Sequence, residues 1–353
     1  MILKGAGGDC MISVAPAIQI EKLARGRRLV TVTDARVLKL HPSSMPDGEV
    51  IVIGQGERAK TLATVEKVLL KFSELEIDRS AMVVGMGGGI VCDIAGFAAA
   101  TYHRGMDLCL APTTLLAQAD AAIGGKSGLN LRGFKNIVGT IRQPKHVICD
   151  VAFLKTQGDV DFGNGLAEVV KHGAIASLPL LKFVESNSRE ILARKRSALE
   201  RIVRDSISIK CAIVRRDEHE SGERMKLNFG HTAGHALEKA CGLPHGRAVS
   251  IGMVEECNLA ISMGMSSRAD AKRLSGILDQ LGLPTRMPDV DSSALRDAIF
   301  KDKKRRGDEI MMPVLSGLGK CEIVSVPMRD LRGMLDGLRR GRRGTMGSDG
   351  GHR

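Results

Sequence analysis

The chain has no tryptophan, one tyrosine and eight phenylalanines. Proteins that hold single-stranded nucleic acid stack bases on aromatics set among cations. No such platform is visible. The eight cysteines, at 10, 92, 109, 149, 211, 241, 257 and 321, include no Cys-x-x-Cys pair. Several lie in apolar runs and read as small core residues of a protein kept in a reducing cytoplasm. No apolar run approaches the roughly 20 residues of a membrane span, and no signal peptide or internal repeat is seen. A cytoplasmic protein without a membrane partner is expected.

What is present is ordinary for a globular protein. Over 353 residues, 43% are apolar and 26% charged, enough for two domains and a large core. The net charge of +12 suggests a nucleic-acid partner until its distribution is considered. Residues 301–306 carry five cations and residues 339–353 five arginines. The second group sits in a glycine-rich stretch without apolar periodicity, expected to be a disordered basic tail. Cations in the folded body suit an anionic small molecule.

The first 150 residues alternate β-rich runs (28–33, 49–53, 81–85, 107–110, 146–150) with helical patterns (59–75, 89–101). That alternation predicts a Rossmann-like parallel sheet covered by helices. After residue 151 helical periodicity dominates: 162–176, 180–185, 188–215, 224–240, 248–263 and 269–281. One late hairpin, 309–314 with 320–324, stands out. The expected architecture is an α/β domain over 1–152, a mainly α-helical domain over 153–338 and the tail over 339–353.

Four stretches carry chemistry. His231 and His235 lie four apart, on one face of a helix, and His245 follows a Gly-Leu-Pro break. Converging imidazoles without a cysteine cluster suit a catalytic metal that keeps open positions. Isolated His-x3-His pairs, however, mostly bind nothing. Gly85-Met-Gly-Gly-Gly-Ile-Val-Cys-Asp93 follows a strand and opens a helix, which suits a pyrophosphate or merely a tight turn. Lys126, Lys135 and Asn136 lie among glycines, as in an anion cradle or an ordinary surface loop. The Gly-Gly-Lys-Ser at 124–127 lacks the earlier glycine of an NTPase loop, because position 120 is Asp. Glu168 and Lys171 share a helix face, as a surface ion pair or as a metal carboxylate beside a cation. Lys210 falls in line with Val203 on an apolar helix face; it either snorkels or meets an anion or a carboxylate such as Glu220.

Taken together, Gly-Gly-Gly-Ile-Val-Cys-Asp-Ile-Ala-Gly-Phe, Ala-Thr-Tyr-His-Arg-Gly, Pro-Thr-Thr-Leu-Leu-Ala-Gln, Gly-Gly-Lys-Ser-Gly-Leu-Asn, Gly-Leu-Ala-Glu-Val-Val-Lys and Leu-Asn-Phe-Gly-His-Thr-Ala-Gly-His resemble 3-dehydroquinate synthase over about residues 30–325. The resemblance implies a two-domain homodimer with NAD and Zn²⁺ (or Co²⁺) in a cleft. The implied reaction converts 3-deoxy-D-arabino-heptulosonate 7-phosphate to 3-dehydroquinate and phosphate. In it, NAD is reduced and reoxidised in each turnover, and the substrate phosphate serves as its own base.

By that resemblance Glu168, His231 and His245 are the metal ligands, with His235 either turned to the substrate phosphate or standing behind the ligands. Asp34, Glu57, Lys60, Gly87, Gly88, Gly89, Asp93, Thr113 and Thr114 fall where the family holds NAD, with Lys126 and Lys135 beside them. Lys126, Lys171, Lys210, Glu220, Arg224, Asn228 and His235 fall at its catalytic positions. Arg104, Asp120, Lys135, Asn136 and Lys303 or Lys304 fall where it holds substrate, Arg104 in the neighbouring subunit. The glycine-rich amino terminus shows no clear first hairpin. Another sugar-phosphate cyclase and a metal-dependent polyol dehydrogenase are the competing readings.

Overall fold

The computed structural model describes residues 1–5, 8–288, 305–306 and 308–331. Lys303, Lys304 and the tail over 339–353 lie outside the described residues. The chain forms two compact units, Met1–Val169 with Arg189–His219, and Val170–Ser188 with the chain from Glu220 onward.

The first unit holds strands β1 (Ile2–Leu3), β2 (Cys10–Val14), β3 (Leu29–Asp34), β4 (Glu49–Ile53), β5 (Met82–Gly87), β6 (Asp107–Pro112), β7 (Lys126–Leu131), β8 (Phe134–Ile141) and β9 (His146–Cys149). Seven of them form a sheet in the order β1-β2-β9-β6-β5-β3-β4. All its pairings are parallel except β1 with β2. Helices α1 (Gln19–Ala24), α2 (Ala35–Leu40), α3 (Leu62–Glu74) and α4 (Gly89–Thr101) connect the strands. Every residue of β5 is buried, as expected of a parallel strand covered on both faces. Val84, Met86, Cys109 and Ile148 pack with Ile20 and Phe153 in the core.

Strand order fixes where a ligand can sit. The chain passes from β3 to β4 on one side, then returns to β5 on the other side of β3. That reversal leaves the carboxyl ends of β3 and β5 adjacent, at Asp34 and Gly87. Open α/β sheets take ligands at such a switch point.

Helix α5 (Asp159–Ala176) passes from the first unit into the second. The second unit continues with α6 (Leu178–Ser186). The chain then returns to the first unit through α7 (Ser188–Leu192) and α8 (Arg196–Arg216). In the second unit α9 (His231–Cys241), α10 (His245–Ser262) and α11 (Arg268–Gln280) precede an antiparallel sheet, β10 (Arg305–Arg306), β11 (Glu309–Leu315) and β12 (Cys321–Pro327). Leu237, Ala248, Ile251 and Leu259 share a core with Ile310, Met312, Val314 and Val326.

Several expectations are corrected. A first hairpin exists: Ile2 pairs with Met11 and Leu3 with Cys10. The compact units divide after Val169, Ser188 and His219, and α8 packs against β2 of the sheet unit. The helix expected over 188–215 is interrupted by Arg194 in the left-handed region, φ 54°. The helix expected over 224–240 is a 3-10 turn, Glu223–Asn228, followed by α9. Gly230, φ 78°, separates them, a conformation suited to glycine.

Helices α9 and α10 pack backbone to backbone through glycines. A Cβ on Gly252 would stand 2.0 Å from the Gly230 carbonyl oxygen and 2.9 Å from the Gly234 nitrogen. Neither backbone atom can swing aside. Gly252→Ala is therefore expected to cost about 3 kcal/mol or more, read as a fall in the thermal unfolding midpoint. An unchanged midpoint would contradict this packing.

Candidate active site

The glycine run stands at the switch point. Gly87 ends β5, Gly88 precedes α4, and Gly89 opens it. A Cβ on Gly87 would lie 2.5 Å from Val91 Cγ2, so strand and helix meet closely only because that position is bare. Helix α4 has no acidic residue in its first turn, leaving its amide N–H groups and dipole available to an anion. Thr113 is buried and its N–H donates to the Gly87 carbonyl at 2.9 Å. Thr114 lies next to Gly88, 3.3 Å from where a Cβ would be. Asp34 caps α2, accepting from the N–H groups of Arg36 and Val37 at 2.9 and 3.0 Å.

The expected Lys126–Asn136 loop is a hairpin. β7 pairs antiparallel with β8, Lys126 opposite Ile141. Lys126 and Lys135 are exposed on it. A network ties this hairpin to α3 and α4. The Lys60 ammonium pairs with Asp93 and donates to Asn136 Oδ1 at 2.6 Å. Asn130 Nδ2 donates to Glu57 Oε1 at 2.7 Å, and Asn130 Oδ1 accepts from the Asn136 N–H at 3.0 Å. Burial pushes the Asp93 carboxyl above its ordinary range, with the Lys60 charge opposing. The structure thus groups Glu57, Lys60 and Asp93 with Asn136. Arg104 stands exposed in a 3-10 turn, its backbone left-handed at φ 60°.

Lys210 is buried on α8, 6% exposed. Its ammonium donates to the Asp120 carbonyl at 2.7 Å and pairs with the Asp120 carboxylate. The carboxylate it meets there is Asp120, of the kind the sequence anticipated. The lysine turns toward the five-residue turn Ala117–Ala121, which α8 packs against. Glu220 accepts from Asn228 Nδ2 at 2.7 Å. Arg224 and Lys171 are both buried cations, and His235 is exposed on α9.

Glu168, His231 and His245 each offer a ligand atom within 4.8 Å of the others. His231 opens α9 and His245 opens α10, while Glu168 lies on α5, one helical turn before Lys171. The His231 Nδ1 lies 3.1 Å from the Phe229 carbonyl oxygen. A carbonyl only accepts, so Nδ1 carries the hydrogen and Nε2 keeps its lone pair for a cation. The His245 Nδ1 lies 2.6 Å from Glu238 Oε1, which leaves its Nε2 in the same state. Burial first, then the Lys171 ammonium, holds the His231 imidazole well below its usual pKa, so it stays neutral as a ligand must. One carboxylate with two imidazoles is a catalytic zinc set, and the residues fit the ion. Asp120, Glu168 and His172 meet the same distance limit, but the Asp120 carboxylate there is engaged by Lys210. His235, four residues after His231, is in neither set, although its ring lies 5.2 Å from that of His231.

The sequence reading missed Glu238. Its only signal was a carboxylate two helical turns after His231, and nothing marked it as a partner of His245. Glu238→Gln removes the charge that fixes the orientation and tautomer of the His245 ring. It is expected to weaken zinc binding about 10–100-fold, measured by chelator competition. An unchanged affinity would leave Glu238 without that role.

Comparison with known proteins places the chain in a family. The family model described as 3-dehydroquinate synthase N-terminal matches residues 50–164, and its C-terminal counterpart matches residues 165–305. A 3-dehydroquinate synthase of Thermoanaerobacter sp. (strain X514) is 40% identical over 318 residues, 87% of this chain and 89% of that one. Among solved structures, 2-epi-5-epi-valiolone synthase from Streptomyces hygroscopicus subsp. jinggangensis 5008, with NAD⁺ and Zn²⁺ bound, superposes with a TM-score of 0.85. It is 27% identical, over 96% of this chain and 98% of that one. A 2-deoxy-scyllo-inosose synthase complexed with carbaglucose-6-phosphate, NAD⁺ and Co²⁺ gives 0.83 at 25% identity, over 93% and 96%. With both family models together spanning most of its length, the chain belongs to the 3-dehydroquinate synthase family.

Proposed function

We propose that this chain converts 3-deoxy-D-arabino-heptulosonate 7-phosphate to 3-dehydroquinate and phosphate, the second step of the shikimate pathway, using NAD and Zn²⁺ or Co²⁺. The observation that carries the reading is the meeting of Glu168, His231 and His245 in a chain of this family. When bound, dinucleotide and cation together supply reversible oxidation of the C5 hydroxyl, which acidifies the adjacent C–H.

The protein's own groups position and neutralise the substrate. Gly87–Gly89 and the α4 amino terminus are assigned to the pyrophosphate. Asp34 is assigned to the ribose, with Glu57, Lys60, Asp93, Thr113 and Thr114 completing the dinucleotide site. Lys126, Lys135 and Asn136, on an exposed hairpin, suit the substrate phosphate, with His235 donating to it. A phosphate so held can take the proton of the adjacent C–H as it leaves, so the elimination needs no protein base. Lys171, Lys210 and Arg224 supply positive charge for the carboxylate, and Glu220 orients Asn228. This complement favours a carboxylated substrate over the uncharged ring ends of other sugar-phosphate cyclase substrates.

A homodimer with Arg104 reaching the neighbouring site is part of the same reading. So is a reducing, cytoplasmic setting, which the free thiols of Cys10, Cys92, Cys109 and Cys149 support. Among the described residues no helix is long and apolar enough to cross a membrane. The test is incubation with the heptulosonate phosphate and, separately, with sugar phosphates lacking the carboxylate, products being identified by mass spectrometry. Turnover of only the carboxylated substrate to 3-dehydroquinate is expected. Cyclisation of only the uncarboxylated ones would assign the chain to another cyclase.

A further inference from the structure

Glu256 takes no part in the chemistry above, yet it is a buried acid at a decisive place. It lies on α10, about three turns beyond His245, and is 1% exposed. Its Oε2 accepts from the Gly230 N–H at 2.8 Å. Its Oε1 accepts from the N–H groups of Thr232 at 2.9 Å and Ala233 at 3.2 Å. These are amides of the first turn of α9, the helix that His231 opens.

A helix of eleven residues ordinarily caps its own first turn with the side chain at the preceding position. Here that position is Gly230, with no side chain and no cap. Its left-handed φ of 78° favours glycine, and a Cβ would meet Met253 Cγ at 2.6 Å and the Val249 carbonyl oxygen at 2.9 Å. The close contact of α9 and α10 thus removes the local cap, and a carboxylate from α10 replaces it. A buried carboxylate is costly unless hydrogen-bonded, and three backbone donors meet that cost.

Two effects bear on His231. The bonds to Gly230 and Thr232 grip the backbone on either side of it, fixing where the imidazole leaves the chain. The negative charge also offsets the positive end of the α9 dipole, which would otherwise repel a cation bound at the first residue. We propose that Glu256 is a positioning residue for the metal, acting on His231 through the first turn of α9. The inference rests on His231 being a ligand.

Glu256→Gln keeps the shape and one acceptor oxygen but loses the charge. In the metal-free full-length protein it is expected to raise the zinc dissociation constant about 10–100-fold, by chelator competition, and to alter the visible absorption of the Co²⁺-loaded protein. Ser267→Ala serves as a control, since Ser267 caps α11 through the Asp270 N–H at 3.1 Å. It is expected to lower stability without moving either readout. If Glu256→Gln does not fold, Glu256→Asp, which withdraws the charge by one methylene, is read the same way. Wild-type zinc affinity and Co²⁺ spectrum in the folded variant would overturn the proposal, as would equal losses in Ser267→Ala. His231→Ala, measured in parallel, separates the two ideas. If it retains zinc, the ligand assignment fails and this inference with it. If it loses zinc while Glu256→Gln binds normally, only the role of Glu256 fails.

Discussion

Glu168→Ala is expected to lose bound zinc and turnover together. The carboxylate is 1% exposed on α5 and is the only anion in the set with His231 and His245. Two neutral imidazoles alone leave the ion's charge uncompensated in a buried place. Polarisation of a substrate oxygen by a bound cation contributes several kcal/mol; a loss of about 4 kcal/mol corresponds to about 10³-fold in rate. Zinc content after dialysis and initial rate should fall in parallel. A variant that keeps its zinc but loses activity would move Glu168 out of the ligand set. One that keeps both would remove the proposed centre.

Lys210→Met is expected to produce the second large effect, on stability as well as rate. Removing the ammonium leaves the Asp120 carboxylate, itself mostly buried, without the charge beside it. Breaking a buried pair on one side typically costs about 3–5 kcal/mol, whereas replacing both partners with neutral groups costs much less. The double variant Lys210→Met/Asp120→Asn is therefore expected to regain much of the lost stability. It is not expected to regain activity, because the cation proposed to neutralise the substrate carboxylate is still missing. Denaturant unfolding and initial rates of the four proteins in this cycle give both quantities. Equal stability of Lys210→Met and wild type would show the pair to be energetically idle. Recovered activity in the double variant would remove Lys210 from the catalytic set.

What was legible in the sequence follows from which physics is local. The parallel strands could be read from apolar runs because a strand covered on both faces has no polar register to confuse. Gly87–Gly89 could be placed because a strand-to-helix turn needs bare backbone. The helix break before His231 was not read, because it depends on Gly230 adopting a left-handed φ where α10 leaves no room for a Cβ. The β7–β8 hairpin was hidden for a related reason. Its glycines suit a loop as well as a strand, and only the pairing of Lys126–Leu131 with Phe134–Ile141 decides. For Lys210, helical spacing left snorkelling and a buried partner both open, and its meeting with Asp120 is long-range. Glu238 and Glu256 illustrate the same limit. Each acts through a partner on another helix or turn, and helical spacing carries no trace of it.

The central claim is that a carboxylate and two imidazoles serve a reaction that borrows a hydride and returns it. The most direct test follows phosphate release and NADH absorbance together, with the heptulosonate phosphate and NAD, in metal-free protein before and after addition of Zn²⁺. The account predicts phosphate only after zinc is added, with no lasting rise in NADH. Accumulating NADH without phosphate, or phosphate release indifferent to zinc, would contradict it.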